Sequence, residues 1–300
     1  MIEVKQVSKQ FDDICALNDV SFSITDGSVY GIVGTNGAGK STMLRVMAGI
    51  LKAEHGEVLV DGQGVFENPE AKKDIVFIPD TSYFFPNARL KDMVEYYSVV
   101  YPGFEKERFT KFCNQFDLDK DRKLTTFSKG MKKQVSVLLG VCANTKYMFC
   151  DETFDGLDPV VRQAVKGIFA AEILNRKFTP VIASHNLREL EDICEHVGLL
   201  HEGGILLSKD LEDMKFHLHK VQCVVPDETR EEQLLKELEV LKYHRQGSLL
   251  MITARGTRTE IMNRVEAADP IFSEIIPLSL EEIFISETEV AGYEIKNIIL

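Results

Sequence analysis

A glycine, four residues, then glycine, lysine and serine stand in the run Gly34-Thr35-Asn36-Gly37-Ala38-Gly39-Lys40-Ser41-Thr42. That spacing is the pattern of a loop that cradles phosphate groups. Glycines let the backbone curl until successive N–H groups point inward at phosphate oxygens. The apolar run 29–33 before the loop reads as a buried strand, and 43–48 after it reads as a helix. The helix adds the equivalent of roughly half a positive charge at its N-terminal end. In this setting Gly34, Asn36, Gly37, Ala38, Gly39 and Thr42 are expected to wrap the phosphates. Lys40 is expected to reach the β- and γ-phosphates, and Ser41 to offer its hydroxyl to Mg2+.

Two further strand ends carry polar chemistry. Residues 147–150 are an apolar strand that runs into Asp151 and Glu152. Open parallel sheets bind ligands at the carboxyl ends of their strands. Asp151 is thus placed to hold Mg2+ through water, and Glu152 to polarise the water that attacks the γ-phosphate. Alone, two carboxylates at a loop start would read as solvated turn residues; the phosphate loop upstream changes that reading. Gly156 and Pro159 bracket a tight turn into a helix. Residues 180–184 form another strand and end at His185, whose imidazole would donate a hydrogen bond to the γ-phosphate. Upstream, Ser128 is a good N-cap for the helix that follows, but Lys129, Lys132 and Lys133 crowd its start. Basic residues there oppose the helix dipole, a conflict that a nearby anion relieves.

Composition narrows the class. The chain has 300 residues, 44% of them hydrophobic, and a net charge of -12. That length suits one large core and a smaller second one. An acidic chain is a poor general ligand for nucleic acid, whose phosphates need Lys and Arg, so none is expected. The six cysteines, Cys15, Cys113, Cys142, Cys150, Cys194 and Cys223, show neither C-x-x-C nor zinc spacing, which fits a reducing cytosol. The start shows no signal-peptide stretch, and the longest apolar run, 135–143, is far short of the roughly 20 residues of a spanning helix. The expectation is a chain that does not cross a membrane itself.

The elements that position these residues alternate. Strands are expected at 1–7, 20–24, 57–60 and 74–78, mostly helix over 88–144 with a break at Pro102-Gly103, and strands again at 147–150 and 180–184. Strands alternating with helices imply a parallel sheet, with 88–144 as an inserted helical subdomain and the N-terminal strands as a separate β region. After about residue 215 the pattern becomes strand 220–225, helix 229–238, strands 240–245 and 248–255 joined at Gln246-Gly247, helix 259–268 and extended 271–277. This β-α-β-β-α-β order is that of a ferredoxin-like sandwich. The expected domains are therefore 1–215 and 216–300, in an α/β architecture with a C-terminal α+β domain.

These motifs, in this order, resemble the ATP-binding cassette (ABC) ATPases over residues 1–215. Residues 34–42 match the Walker A loop, 147–151 Walker B with Glu152 as catalytic glutamate, 155–158 the D-loop, and His185 the switch histidine. Ser128-Lys129-Gly130-Met131 stands where the family carries its Ser-Gly-Gly-Gln signature. Phe11 lies where the family stacks an aromatic ring on adenine; its other reading is a half-buried aromatic at a strand end. The resemblance implies ATP and Mg2+ as ligands and a head-to-tail dimer. ATP on Lys40 of one chain is then covered by Ser128 and Gly130 of the other. A homodimer is the simple expectation, a heterodimer with a related ATPase the alternative.

Asp80 falls where the family has its Q-loop glutamine, Lys129 replaces a signature glycine, and Met131 replaces the signature glutamine. Asp80 would hold the metal differently from glutamine, or through water. With the ending 279–284 after an extra domain, this combination is similar to bacterial ABC-2-type exporters of drugs, antibiotics and peptides. Such ATPases dock on an integral membrane permease at the inner face of the cell membrane. The groove is expected at 81–105, with Tyr83, Phe84, Phe85 and Leu90; for any one of them, packing within the subdomain is an equal reading. The rival is a soluble cassette ATPase of ribosome, DNA-repair or iron–sulfur assembly function. A third reading is a nucleotide sensor without turnover, against which Glu152 and His185 stand. The C-terminal domain could dimerise, sense a ligand or prop the cassette, and the apolar end Ile298-Ile299-Leu300 could pack on it or on a partner. Lys40→Ala should abolish ATP hydrolysis and weaken ATP binding, measured by phosphate release and nucleotide titration; retained turnover would overturn the loop's assignment.

Overall fold

A computed structural model of the chain describes residues 1–191 and 193–290, with side chains through residue 286. Ile298, Ile299 and Leu300, whose packing the sequence leaves open, lie outside the described residues. The chain divides into two units, Met1–Ser208 and Lys209–Leu300. The expected boundary at about 215 lies within the second of these units.

The first unit runs β1 (Ile2–Phe11), β2 (Ile14–Ile24), β3 (Tyr30–Val33), α1 (Lys40–Met47), β4 (His55–Val60), β5 (Gln63–Gly64), α2 (Pro69–Lys72) and β6 (Ile75–Ile78). Three helices follow: α3 (Leu90–Val100), α4 (Lys106–Gln115) and α5 (Lys129–Cys142). Then come β7 (Tyr147–Asp151), α6 (Pro159–Arg176), β8 (Thr179–Ser184), α7 (Leu187–Glu191), β9 (His196–His201) and β10 (Gly204–Asp210), within which the division falls. β1 pairs antiparallel with β2 and β4, and β4 with β5, in the order β2-β1-β4-β5. The strands of that sheet alternate, and Ile2, Val4, Val7, Leu17, Val20 and Val58 turn inward.

The central sheet has the order β10-β9-β3-β8-β7-β6, with parallel pairing from β9 through β6. β10 returns beside β9 through Glu202 and Gly203, a link that only an antiparallel neighbour permits. β3, β7 and β8 are buried at every position, as parallel strands covered on both faces must be. Tyr30, Ile32, Tyr147, Phe149, Val181 and Ala183 share one core with Met43 and Met47 of α1 and the inner face of the first sheet. The helical insertion lies between the neighbouring strands β6 and β7. It breaks between α3 and α4, around Pro102-Gly103, where proline has no amide to continue the ladder.

The second unit runs α8 (Leu211–His217), β11 (Leu218–Val224), α9 (Glu228–Glu237), β12 (Glu239–Gln246), β13 (Leu249–Arg255), α10 (Arg258–Ala267), β14 (Phe272–Ile276) and α11 (Leu280–Val290). Its sheet is antiparallel throughout, in the order β12-β13-β11-β14. Val221, Cys223, Leu250, Ile252 and Ala254 form one face, covered by Leu234 and Leu238 near α9 and by Ile261 and Val265 of α10.

Phe149 is fully buried in β7, beneath the end that carries Asp151. Phe149→Ala should destabilise the first unit by about 3–5 kcal/mol, the range for emptying a buried aromatic site. Urea unfolding followed by circular dichroism would show it as a lower midpoint.

Candidate functional site

Strand register assembles the site. Val33 pairs with Ser184, and Asp151 with Ala183, across three adjacent parallel strands. The loop after β3, the carboxylates at the end of β7 and His185 after β8 therefore leave the sheet from one edge.

The loop is shaped by close backbone approaches. A Cβ on Gly34 would stand 2.3 Å from the Leu200 carbonyl oxygen, and one on Gly39 2.3 Å from that of Ala16. Gly39 also has φ +103°, a conformation only glycine adopts without strain, and it directly precedes α1. Asn36 and Gly37 are exposed at the tip, while Ala38 is buried. Lys40 is buried at 5% exposure. Its ammonium donates to the carbonyls of Gly34 at 2.7 Å and Thr35 at 3.1 Å and stands 3.3 Å from Oε1 of Glu152. The loop thus curls around the lysine that follows it.

Ser41 Oγ donates to Oδ1 of Asp151 at 2.7 Å. Burial pushes the Asp151 carboxyl above its usual range, against the Ser41 hydrogen bond and the positive field of Arg45. A hydroxyl and a carboxylate are hard oxygen donors. They fit Mg2+, which binds through one or two protein oxygens and completes its shell with water and substrate phosphates.

Glu152 has a left-handed backbone, φ +47°, which costs roughly 1–2 kcal/mol in a residue with a Cβ. Its N–H donates to the Ala183 carbonyl at 3.0 Å. Its carboxylate spans the site: Oε1 faces Lys40, and Oε2 accepts from Nδ1 of His185 at 2.8 Å and from the His185 N–H at 3.3 Å. Because a carboxylate only accepts, Nδ1 carries the proton and Nε2 is the nitrogen turned elsewhere. A carboxylate, an ammonium and an oriented imidazole thus meet at the mouth of the loop.

Comparison with known proteins places this constellation. Residues 17–155 match the model of the ABC transporter family. The chain carries the ATP-binding cassette of that family. It is similar to the ABC transporter ATP-binding protein YtrB of Bacillus subtilis, 29% identical over 96% of this chain and 98% of that protein. It is also similar to the bacitracin transport ATP-binding protein BcrA of Bacillus licheniformis, 25% identical over 72% of this chain and 71% of that one. Among solved structures, an ATP-binding subunit of an ABC transporter superposes with a TM-score of 0.66 at 24% identity, covering 72% of this chain and 92% of its own. A dimeric cassette bound to ADP and phosphate gives 0.63 at 21% identity, covering 70% and 99%. The chain is an ABC ATPase.

The remaining expected residues of the cassette are spread around this centre. Ser128 caps α5, its hydroxyl accepting the Met131 N–H at 3.1 Å. A Cβ on Gly130 would stand 2.7 Å from the carbonyl oxygen of Gly156, so the signature and the D-loop touch through main chain. Phe11 ends β1, 42% exposed, with the Lys9 ammonium 5.1 Å from its ring centre. Tyr83 and Phe85 are exposed and meet edge to face, whereas Leu90 is fully buried and offers nothing to a groove.

Asp80, expected near the metal, accepts from Lys133 Nζ at 3.0 Å, and its negative charge is felt at Asp151. Lys133 also donates to the Glu152 carbonyl at 2.6 Å. Sequence reading assigned Lys133 only a place among the basic residues opening α5. The available signal was a lysine at the start of the buried stripe that continues through Val137 and Val141.

Gly39→Ala should weaken ATP binding by about tenfold or more, since a side chain at this φ costs on the order of 1–2 kcal/mol. Titration with a fluorescent ATP analogue would check this.

Proposed function

We propose that the chain is the ATP-hydrolysing subunit of a bacterial ABC exporter of drugs, antibiotics or peptides. It would be held at the inner face of the membrane by an integral permease. The observation that carries the ATPase step is the Glu152 carboxylate set between Lys40 and His185 at the mouth of the loop. The transporter reading is supported by similarity to YtrB along 98% of that protein, and the antibiotic class of cargo by the name of BcrA, a bacitracin transport protein. Asp80 and the Ser-Lys-Gly-Met run point the same way.

In this reading the loop N–H groups and Lys40 bind the β- and γ-phosphates, and Phe11 stacks on adenine. Ser41 and Asp151 would hold Mg2+, which when bound would offset the phosphate charge. Glu152 takes the proton of the attacking water. His185 keeps Nδ1–H on Glu152, so donation from Nε2 to the γ-phosphate takes the doubly protonated ring. Ser128 and Gly130 of a second copy close over the nucleotide, and ATP favours the closed dimer by those added contacts. A homodimer suffices. Tyr83, Phe85 and Tyr96, exposed and in edge-to-face contact in series, offer an apolar surface to the permease. The C-terminal unit, with its β-α-β-β-α-β order, is a ferredoxin-like sandwich.

Glu152→Gln removes the base at constant shape. Turnover should fall by about a hundredfold or more, and ATP should trap a species of doubled mass in light scattering. The same variant, tagged and captured with ATP from detergent-solubilised native membranes, should bring a polytopic membrane protein in near-equal amount. Ribosomal or iron–sulfur assembly proteins without a permease would move the function to a soluble ATPase.

A further inference from the structure

We propose that Lys133 is a positioning residue for Glu152, with Asp80 as its counterion rather than an independent metal ligand. This rests on the reading of Glu152 as the ATPase base. Lys133 opens a stretch of α5 that is buried through Cys142, and its own exposure is 9%. A buried ammonium needs partners. It has the Glu152 carbonyl at 2.6 Å and the Asp80 carboxylate at 3.0 Å.

The first contact acts on a strained residue. Glu152 sits at φ +47°, with its N–H held by the Ala183 carbonyl and its C=O held by Lys133. Fixing the polar groups on both sides of its Cα fixes the direction of Cα–Cβ, and so where the carboxylate can reach. The second contact balances charge. The Asp80 side chain is 56% exposed, so water carries part of its charge, and the need for a partner lies mainly with the buried ammonium. Lys133 without Asp80 would leave a buried cation on a single carbonyl. The charged residue in the Q-loop position and the buried lysine of α5 are therefore one feature. It also ties the helical insertion to the end of β7.

The experiment compares the full chain with Asp80→Asn, Lys133→Met, the double variant and Lys133→Arg. For each, kcat, KM for ATP, the Mg2+ requirement and the affinity for a fluorescent ATP analogue are measured. Hydrogen exchange of the peptide spanning Glu152 is followed without nucleotide, and thermal unfolding monitors folding. Lys133→Met should lower kcat about tenfold while nucleotide affinity changes less than about threefold, the signature of lost transition-state rather than ground-state interaction. Lys133→Arg should recover about a third of the loss or more, since a guanidinium keeps the donors and the charge. The double variant should resemble Lys133→Met, because paired residues are not additive. Exchange at Glu152 should quicken in Lys133→Met.

Additive losses, or an Mg2+ requirement raised by Asp80→Asn whatever stands at 133, would overturn the proposal and make Asp80 a metal ligand. Unchanged exchange with unchanged kcat in Lys133→Met would also overturn it. If no form hydrolyses ATP, the ATPase reading fails, and the exchange comparison still decides whether Lys133 holds the Glu152 backbone.

Discussion

Val33 pairs with Ser184 and Ala183 with Asp151, so hydrogen bonds between parallel strands hold three strand ends within a residue of one another. Every chemical group of the centre inherits its position from that ladder. The phosphate loop continues β3, the two carboxylates end β7, and His185 follows β8. A slip of one residue would turn each side chain to the other face of the sheet. The strands resist slipping because both their faces are buried, with Phe149, Val181 and Ile32 at no more than 2% exposure. What remains adjustable lies just past the strands, where Glu152 adopts a left-handed backbone and its carboxylate bridges a lysine and an imidazole.

Much of this was legible because the information is local. A glycine-rich run between an apolar strand and a helix, or an apolar strand ending in two carboxylates, can be read within ten residues. The strands that carry them lie within a residue or two of expectation, since fully buried parallel strands read as unbroken apolar runs. β9 and β10 escaped notice. β9 has histidines at both ends, and β10 is half-exposed at the sheet edge, so neither has a decisive pattern; β9 becomes a strand by pairing with β3 far upstream. Lys133 escaped for the same reason. Its partners lie 53 and 19 residues away in sequence, beyond any helix or strand period. Asp80 could be read from sequence as a departure from glutamine, but the cation it faces, Lys133, shows only in the fold.

The second unit illustrates the opposite case. Its element order could be read from turn signals and from the apolar positions of the two central strands, β11 and β13. Leu250, Ile252 and Ala254 share one apolar cluster with α9 and α10, while Met251 and Thr253 lie on the other face, where Thr253 is also buried. The start of α10 is marked by a reciprocal cap, Thr257 Oγ1 accepting the Glu260 N–H and the Glu260 carboxylate accepting the Thr257 N–H. The order of strands across the sheet was not so marked, since it depends on which edges meet.

The contact between Gly130 and the Gly156 carbonyl bears on how such chains diverge. At that point the surface of α5 and of the loop after β7 is peptide backbone, which has the same shape whatever the neighbouring side chains are. Lys129 and Met131 can therefore depart from glycine and glutamine without redrawing the main-chain surface between them. Side chains stand at 129 and 131, whereas one at 130 would meet the Gly156 carbonyl oxygen. A change at 129 or 131 therefore alters what the start of α5 presents without altering how the loop after β7 lies against it.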